Sequence, residues 1–159
     1  MNDEMIAKQE MLLQFDKFSH DMGIEIGLLL LSKARSEGKS IAVDISKCGQ
    51  QIFHAALEGT TVDNDEWLRK KKNTVYRLNQ STLGIQLKLK KQGVTLEEAL
   101  HLSPVDYVAA GGGFPIKVRG VGFIGAIAVT GTSEVDEHEL ITSCLSTYLG
   151  VSDYPKLMA

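Results

Sequence analysis

The residues of this 159-residue chain that are able to do chemistry gather in a few places. The first is a lysine in unexpected company. On a helix turning about 100° per residue, Trp67, Lys71, Val75, Leu78, Thr82, Ile85 and Leu89 share one face. Lys71 is the one charge in that stripe. A lysine so placed must snorkel to water, pair with a carboxylate, or hold an anionic ligand. If it pairs, Asp136 is the first candidate partner. The second place is Gly111-Gly112-Gly113, which either lets backbone N–H groups approach an anion or makes a tight entry into a strand before Pro115. No Gly-Lys-Ser/Thr and no helix follows it, so it is neither a phosphate loop nor a dinucleotide fingerprint. The third is His138, beside Asp136 early in the last helix. It reads either as a histidine at a helix–sheet seam or as a proton carrier or ligand contact next to the glycines.

The remaining candidates are weaker. His54 reads as a sheet histidine opposite Asp44. His20 and His101 read as surface or cap residues, Cys144 as core and Cys48 as a turn thiol. No metal site is expected, and no nucleophile–base pair stands at a diagnostic spacing, so no reaction class is assigned. From Trp67 to Leu96 there are eight Lys and Arg and no acid, leaving nine bases against twenty acids elsewhere, or −11. Lys70, Lys72, Lys88, Lys90 and Lys91 read as a solvated helix face. With a formal charge of −3 and sparse aromatics, nucleic acid is not an expected partner.

The elements that must position these residues follow from pattern. Asp3 to about Gln14 reads as a short helix that either belongs to the domain or packs on a neighbour. Ser19 caps a helix to about Glu37, whose doubled leucines suit cover on more than one side. Strands Ile41–Ser46 and Gln51–Leu57 align their apolar residues only if Val43 meets Ala55 and Ile45 meets Phe53. That register leaves a three-residue loop and sets Asp44 opposite His54. Asn64 or Asp65 starts a long helix, Glu66 to Lys91, broken near Gly84. Thr95 and Glu98 box a short helix, Leu96–Leu102. Strands Ile116–Arg119 and Gly122–Thr130 come next. Ser133 caps a last helix to about Gly150. Strands in adjacent pairs among helices predict an α+β sandwich with an antiparallel sheet, in one domain over residues 1–159.

Two cysteines make no disulfide framework. The apolar run Ile24–Leu31 is far short of the ~20 residues a membrane span needs. The acidic start, Met1-Asn2-Asp3-Glu4, has no basic leader region, so a cytoplasmic protein is expected.

Several motifs stand in a familiar order. They are Trp67-Leu68-Arg69-Lys70-Lys71-Lys72-Asn73-Thr74-Val75 with Arg77 and Ser81, then Gly112-Gly113-Phe114-Pro115-Ile116, Gly125 to Thr130, and Asp136-Glu137-His138. Together, over roughly residues 15 to 150, they resemble the GlcG/HbpS-like family, often labelled a haem-degrading domain and related to the C-terminal domain of PduO. The resemblance points to a branch of small uncharacterised cytoplasmic proteins. It implies a profilin-like fold with a five-stranded antiparallel sheet and helices on both sides. It also implies homodimers that assemble further, and haem or another small ligand in some members. It adds Trp67, Arg77 and Phe114 to the candidate ligand-binding set of Lys71, Gly112, Gly113, Asp136 and His138. The expectation is a homo-oligomeric, non-enzymatic protein binding a small anionic molecule. The alternative is a haem-handling protein or enzyme using the same cleft.

Overall fold

The computed structural model describes residues 2–157. Six helices and four strands run in the order α1 (Asp3–Leu12), α2 (His20–Ser36), β1 (Ala42–Lys47), β2 (Gln50–Ala56), α3 (Val62–Leu78), α4 (Thr82–Gln92), α5 (Leu96–Leu100), β3 (Gly113–Val118), β4 (Gly122–Thr130) and α6 (Glu134–Leu149). The strands form one antiparallel sheet in the order β2-β1-β4-β3. Alternation divides its faces. Val43, Ile45, Phe114, Ile116, Ile127 and Val129 join Ile26, Leu30 and Ala34 of α2 and Ile141, Cys144 and Leu145 of α6 in the main core. The opposite face is narrow-chested: Ala42 and Ala128 meet Leu68 of α3. Small residues there let α3 lie close to the backbone.

The α+β sandwich stands, but the sheet has four strands among the described residues, not the five the resemblance implies. The place beside β3 is taken by one residue. Phe15 bridges Val118 in parallel, its N–H donating to Lys117 O at 2.8 Å and its carbonyl accepting from Arg119 N at 2.8 Å. Phe15 and Phe18 both turn into the core and meet edge to face at 5.1 Å. An extended strand would send residues three apart to opposite faces, so burying both rings ends the pairing.

Three local expectations shift for identifiable reasons. The long helix breaks at Asn79–Ser81, not at Gly84. Asn79 takes the left-handed conformation at φ 56° and Ser81 caps α4. Gly84 instead lies inside α4, where a Cβ would come within 3.1 Å of Ile6, so it admits α1 against α4 in the same chain. The start of α3 is capped by Thr61, with Asn64 completing a capping box. The β1–β2 register runs as expected, Val43 with Ala55, Asp44 with His54, Ile45 with Phe53, then shifts after Ile45. The shift pairs Lys47 with Gln50 and shortens the loop to Cys48-Gly49. Both turn residues have positive φ, 51° and 84°. That is the type I′ arrangement that matches strand twist. Tyr76 of α3 pins the hairpin, its hydroxyl accepting from Gly49 N and sharing a hydrogen bond with Ser46 Oγ, each at 2.9 Å.

Asn tolerates the left-handed region better than Cys and is favoured before Gly in this turn. Cys48→Asn is therefore expected to stabilise the protein by about 0.5 kcal/mol, read from the denaturant midpoint at unchanged slope. A loss of stability would show that the turn is of another type.

Candidate functional site

Lys71 is buried to 2% exposure in the third turn of α3. Its ammonium has three donors, and three acceptor atoms surround it: Val129 O at 3.0 Å and Glu137 Oε1 and Oε2 at 3.1 and 3.2 Å. The partner is thus Glu137, itself 2% exposed, and not Asp136. Ser133 caps α6, accepting from Asp136 N, and sets the first turn so that Glu137 points at the sheet while Asp136 stays half-buried. Burial pushes the Glu137 carboxyl above the ordinary carboxylate range. Lys71, and then the N–H groups of Gly131 and Thr132, pull against it. Burial likewise lowers Lys71, with Glu137 opposing. Desolvation disfavours both charges, and each is held by the other.

Gly112 lies against this pair, and its two neighbours are packed as tightly against other elements. A Cβ on Gly112, at φ 119°, would stand 2.5 Å from Val129 O and 2.7 Å from Lys71 Nζ. One on Gly111 would meet Glu134 O at 2.4 Å, and one on Gly113 would meet Val75 and Thr82 at 2.9 Å. The N–H groups of Gly111 and Gly113 donate to Gln86 Oε1 and Thr82 Oγ1 at 3.1 and 2.8 Å. The run is therefore a close-packed strand entry, its amides directed at α4.

Lys71 and Glu137 form the floor of a cleft of about 310 Å³, with Trp67, Asp63, Glu134 and Thr132 around it. Trp67 is 39% exposed, and its indole N–H donates to Asp63 Oδ2 at 3.3 Å. Of the candidate set, this cleft brings together Trp67 and Lys71, with Gly112 behind the ammonium. Arg77 is exposed on α3 and does not line it. Phe114 and His138 lie on the other face of the sheet, their ring centroids 5.7 Å apart. Lys72, expected in solvent, reaches Asp44 Oδ1 at 3.4 Å, whereas Lys70 sits over the Trp67 ring at 5.4 Å. His54 faces Asp44 in register but bonds Asp65 Oδ1 at 2.9 Å. Glu137 is the residue that sequence reasoning missed. Its only signal was weak: it stands four residues before buried Ile141, but Asp136 stands likewise before buried Leu140.

His138 is fully buried. Gln9 Nε2 donates to Pro155 O at 2.7 Å, which turns Gln9 Oε1 toward His138 Nε2, also at 2.7 Å. A carbonyl oxygen only accepts, so Nε2 must carry the proton. Nδ1 is buried without a partner among the described residues. Burial holds the imidazole neutral, pushing it down to about 3.

Solved structures with this fold include Ybr137w, superposing with a TM-score of 0.88 at 22% identity over 96% of this chain and 90% of that one. Another is a PduOC:haem complex, with a TM-score of 0.65 at 17% identity over 87% and 97%. These define the class as an α+β sandwich built on a single antiparallel sheet. The pattern of the family described as "Haem degrading protein HbpS-like" matches residues 18–146, and the chain belongs to that family. A UPF0303 protein of Streptomyces coelicolor is 38% identical over 145 residues, 91% of this chain and 92% of that protein. No helix among the described residues is long and apolar enough to cross a membrane.

The family's description names haem. Haem iron takes an axial His, Cys, Met or Tyr in a largely apolar slot. The Lys71 cleft offers none of these. His54 lies in a cleft walled by Asp44, Asp65, Arg69 and Lys72, with its Nε2 already bonded. The apolar groove between α4 and α5 offers only the Tyr107 phenol. The residues of the Lys71 cleft and of the His54 cleft therefore do not fit a haem.

Two outcomes follow. Lys71→Met should strand Glu137 and cost about 3–5 kcal/mol in denaturant unfolding. Adding Glu137→Leu should recover most of that loss, while Lys70→Met, at a half-buried position with no ion pair to break among the described residues, should stay within about 0.5 kcal/mol of wild type. For His138 the folded pKa lies below the unfolded value, so the unfolded chain binds the extra proton. Stability present above about pH 6.5 should therefore fall as pH drops, with a slope approaching 1.4 kcal/mol per unit down to about pH 3. His138→Gln, which keeps a donor toward Gln9, should remove that component of the slope.

Proposed function

We propose that the chain is a homo-oligomeric, non-enzymatic binding protein that takes a small anionic molecule into the cleft between Trp67 and the Lys71–Glu137 pair. The observation that supports this is where the pair sits. A buried ion pair returns little net stability, yet this one forms the floor of an open cleft with the chain's single tryptophan at its side. An incoming carboxylate reaches the ammonium only if Glu137 gives up its charge. Burial already displaces that carboxyl toward its neutral form. Ligand entry is then an exchange of one acid for another, with a proton passing to Glu137. Asp63 and Glu134 lie nearby and disfavour multiply charged ligands, so a monoanion with a flat apolar part suits the indole. Self-association is supported by Ile24 and Leu28, one turn apart on α2 and 39% and 57% exposed.

Trp67 emission titrated with acetate, lactate and benzoate tests the reading. The expected result is a saturable change, strongest for benzoate. One proton should be taken up per ligand, read by calorimetry in two buffers of different ionisation enthalpy. Affinity should rise as pH falls from about 8 to about 6, and Glu137→Gln should remove that pH dependence. Light scattering should give a mass above the 17.4 kDa of one chain. Flat titrations of folded protein would reject the anion site. A Soret band abolished by substitution of one histidine would replace it with the haem-handling reading.

A further inference from the structure

A second cleft, of about 450 Å³, lies between α3 and the β1–β2 hairpin, in the size range of small-molecule sites. Its walls carry both signs of charge. Asp44 of β1 and Asp65 of α3 supply two carboxylates, and Arg69 and Lys72, one turn apart on α3, supply two cations. Asp44 is only 7% exposed. Gln51 Nε2 donates to its Oδ2 at 2.6 Å and fixes the carboxylate's orientation. Its Oδ1 has no hydrogen-bond partner among the described residues. The nearest opposite charge is Lys72 Nζ at 3.4 Å, an ion pair without hydrogen-bond alignment. Arg69 is held from three sides, by Glu66, Asp106 and the Val105 carbonyl. The loose contact is therefore Lys72–Asp44, and its acceptor is buried and unmet, which is costly to leave so.

We infer that this cleft binds a small zwitterion of the α-amino-acid class, inserted between Asp44 and Lys72. The ligand's ammonium donates to Asp44 Oδ1. Its carboxylate takes up Lys72 within the positive field of Arg69. A simple amine meets Asp44 but is repelled by Lys72 and Arg69, and a simple acid meets the reverse conflict with Asp44 and Asp65. Only a molecule carrying both charges a few bonds apart satisfies both walls, by replacing one ion pair with two. His54, opposite Asp44 but turned to Asp65, makes no hydrogen bond to Oδ1 and so does not compete with the ligand for it.

Calorimetry and thermal unfolding of the full chain with L-alanine and L-glutamine test this, with propylamine and propionate, singly and mixed, as controls. Both amino acids are expected to bind at least about tenfold more tightly than either control and to raise the melting temperature as binding to the folded state requires. Asp44→Asn and Lys72→Met should each weaken binding by about tenfold or more. Should Asp44→Asn unfold, Lys72→Met and the exposed Gln51→Glu, which crowds Asp44 with a second carboxylate, carry the same comparison. The inference is overturned if neither amino acid binds the folded wild type, if propylamine or propionate binds as well, or if binding survives Lys72→Met unchanged.

Discussion

An ammonium taken out of water needs its three N–H donors met at once, and that requirement sets the geometry of one end of this protein. Lys71 reaches its acceptors only if three separate pieces of chain converge: β4 offering the Val129 carbonyl, the first turn of α6 offering Glu137, and α3 lying close enough to the sheet. Nothing bulkier than glycine can then stand at 112, because a Cβ would fall within 2.7 Å of Nζ. The neighbouring glycines meet α4 and α6 under similar crowding. The buried charge, the glycine run and the alanines under α3 are thus parts of one constraint.

That constraint gives the sheet two unlike faces. Branched aliphatics and Phe114 fill the side of α2 and α6, where close packing of large side chains supplies most of the hydrophobic stabilisation. The α3 side is polar and thin: Asp44, Ser46, Lys71, Thr74 and Thr130 are buried there with little apolar cover. Polar groups buried under one helix must be satisfied locally, and the helix cannot seal every gap between them. Two clefts open on that face, one along each side of the run from Asp63 to Asn73. The face with the thinner apolar cover is the one on which both proposed ligand sites lie.

The chain ends are tied by a different device. Gln9 of α1 spans from the Pro155 carbonyl to the imidazole of His138, so one hydrogen-bonded line joins the first helix, the last helix and the C-terminal segment. The line works only with His138 neutral, because Gln9 has its single carbonyl to offer and Nδ1 faces no acceptor among the described residues. This explains why a histidine at a sequence position suggestive of chemistry is structural, and why α1 docks on its own chain.

Much of the layout was legible in the sequence because it rests on local physics. Alternation fixed the Val43–Ala55 and Ile45–Phe53 pairing, Ser19, Thr95 and Ser133 marked helix starts, and the apolar stripe through Lys71 marked it as a buried charge. What local pattern could not supply was convergence. Whether Lys71 met Asp136 or Glu137 depended on the rotation of α6 relative to α3, with Lys71 and Glu137 lying 66 residues apart in the chain, and about 100° of helix separates the two acids. The roles of Gly112 and Phe114 depended on which layer lay over each face of β3. The fifth strand failed because Phe15 and Phe18 had a core to enter. Local propensity acts over a few residues and leaves a trace in their order. Desolvation, close approach and ion pairing act between segments distant in the chain, and only the assembled structure brings those segments together.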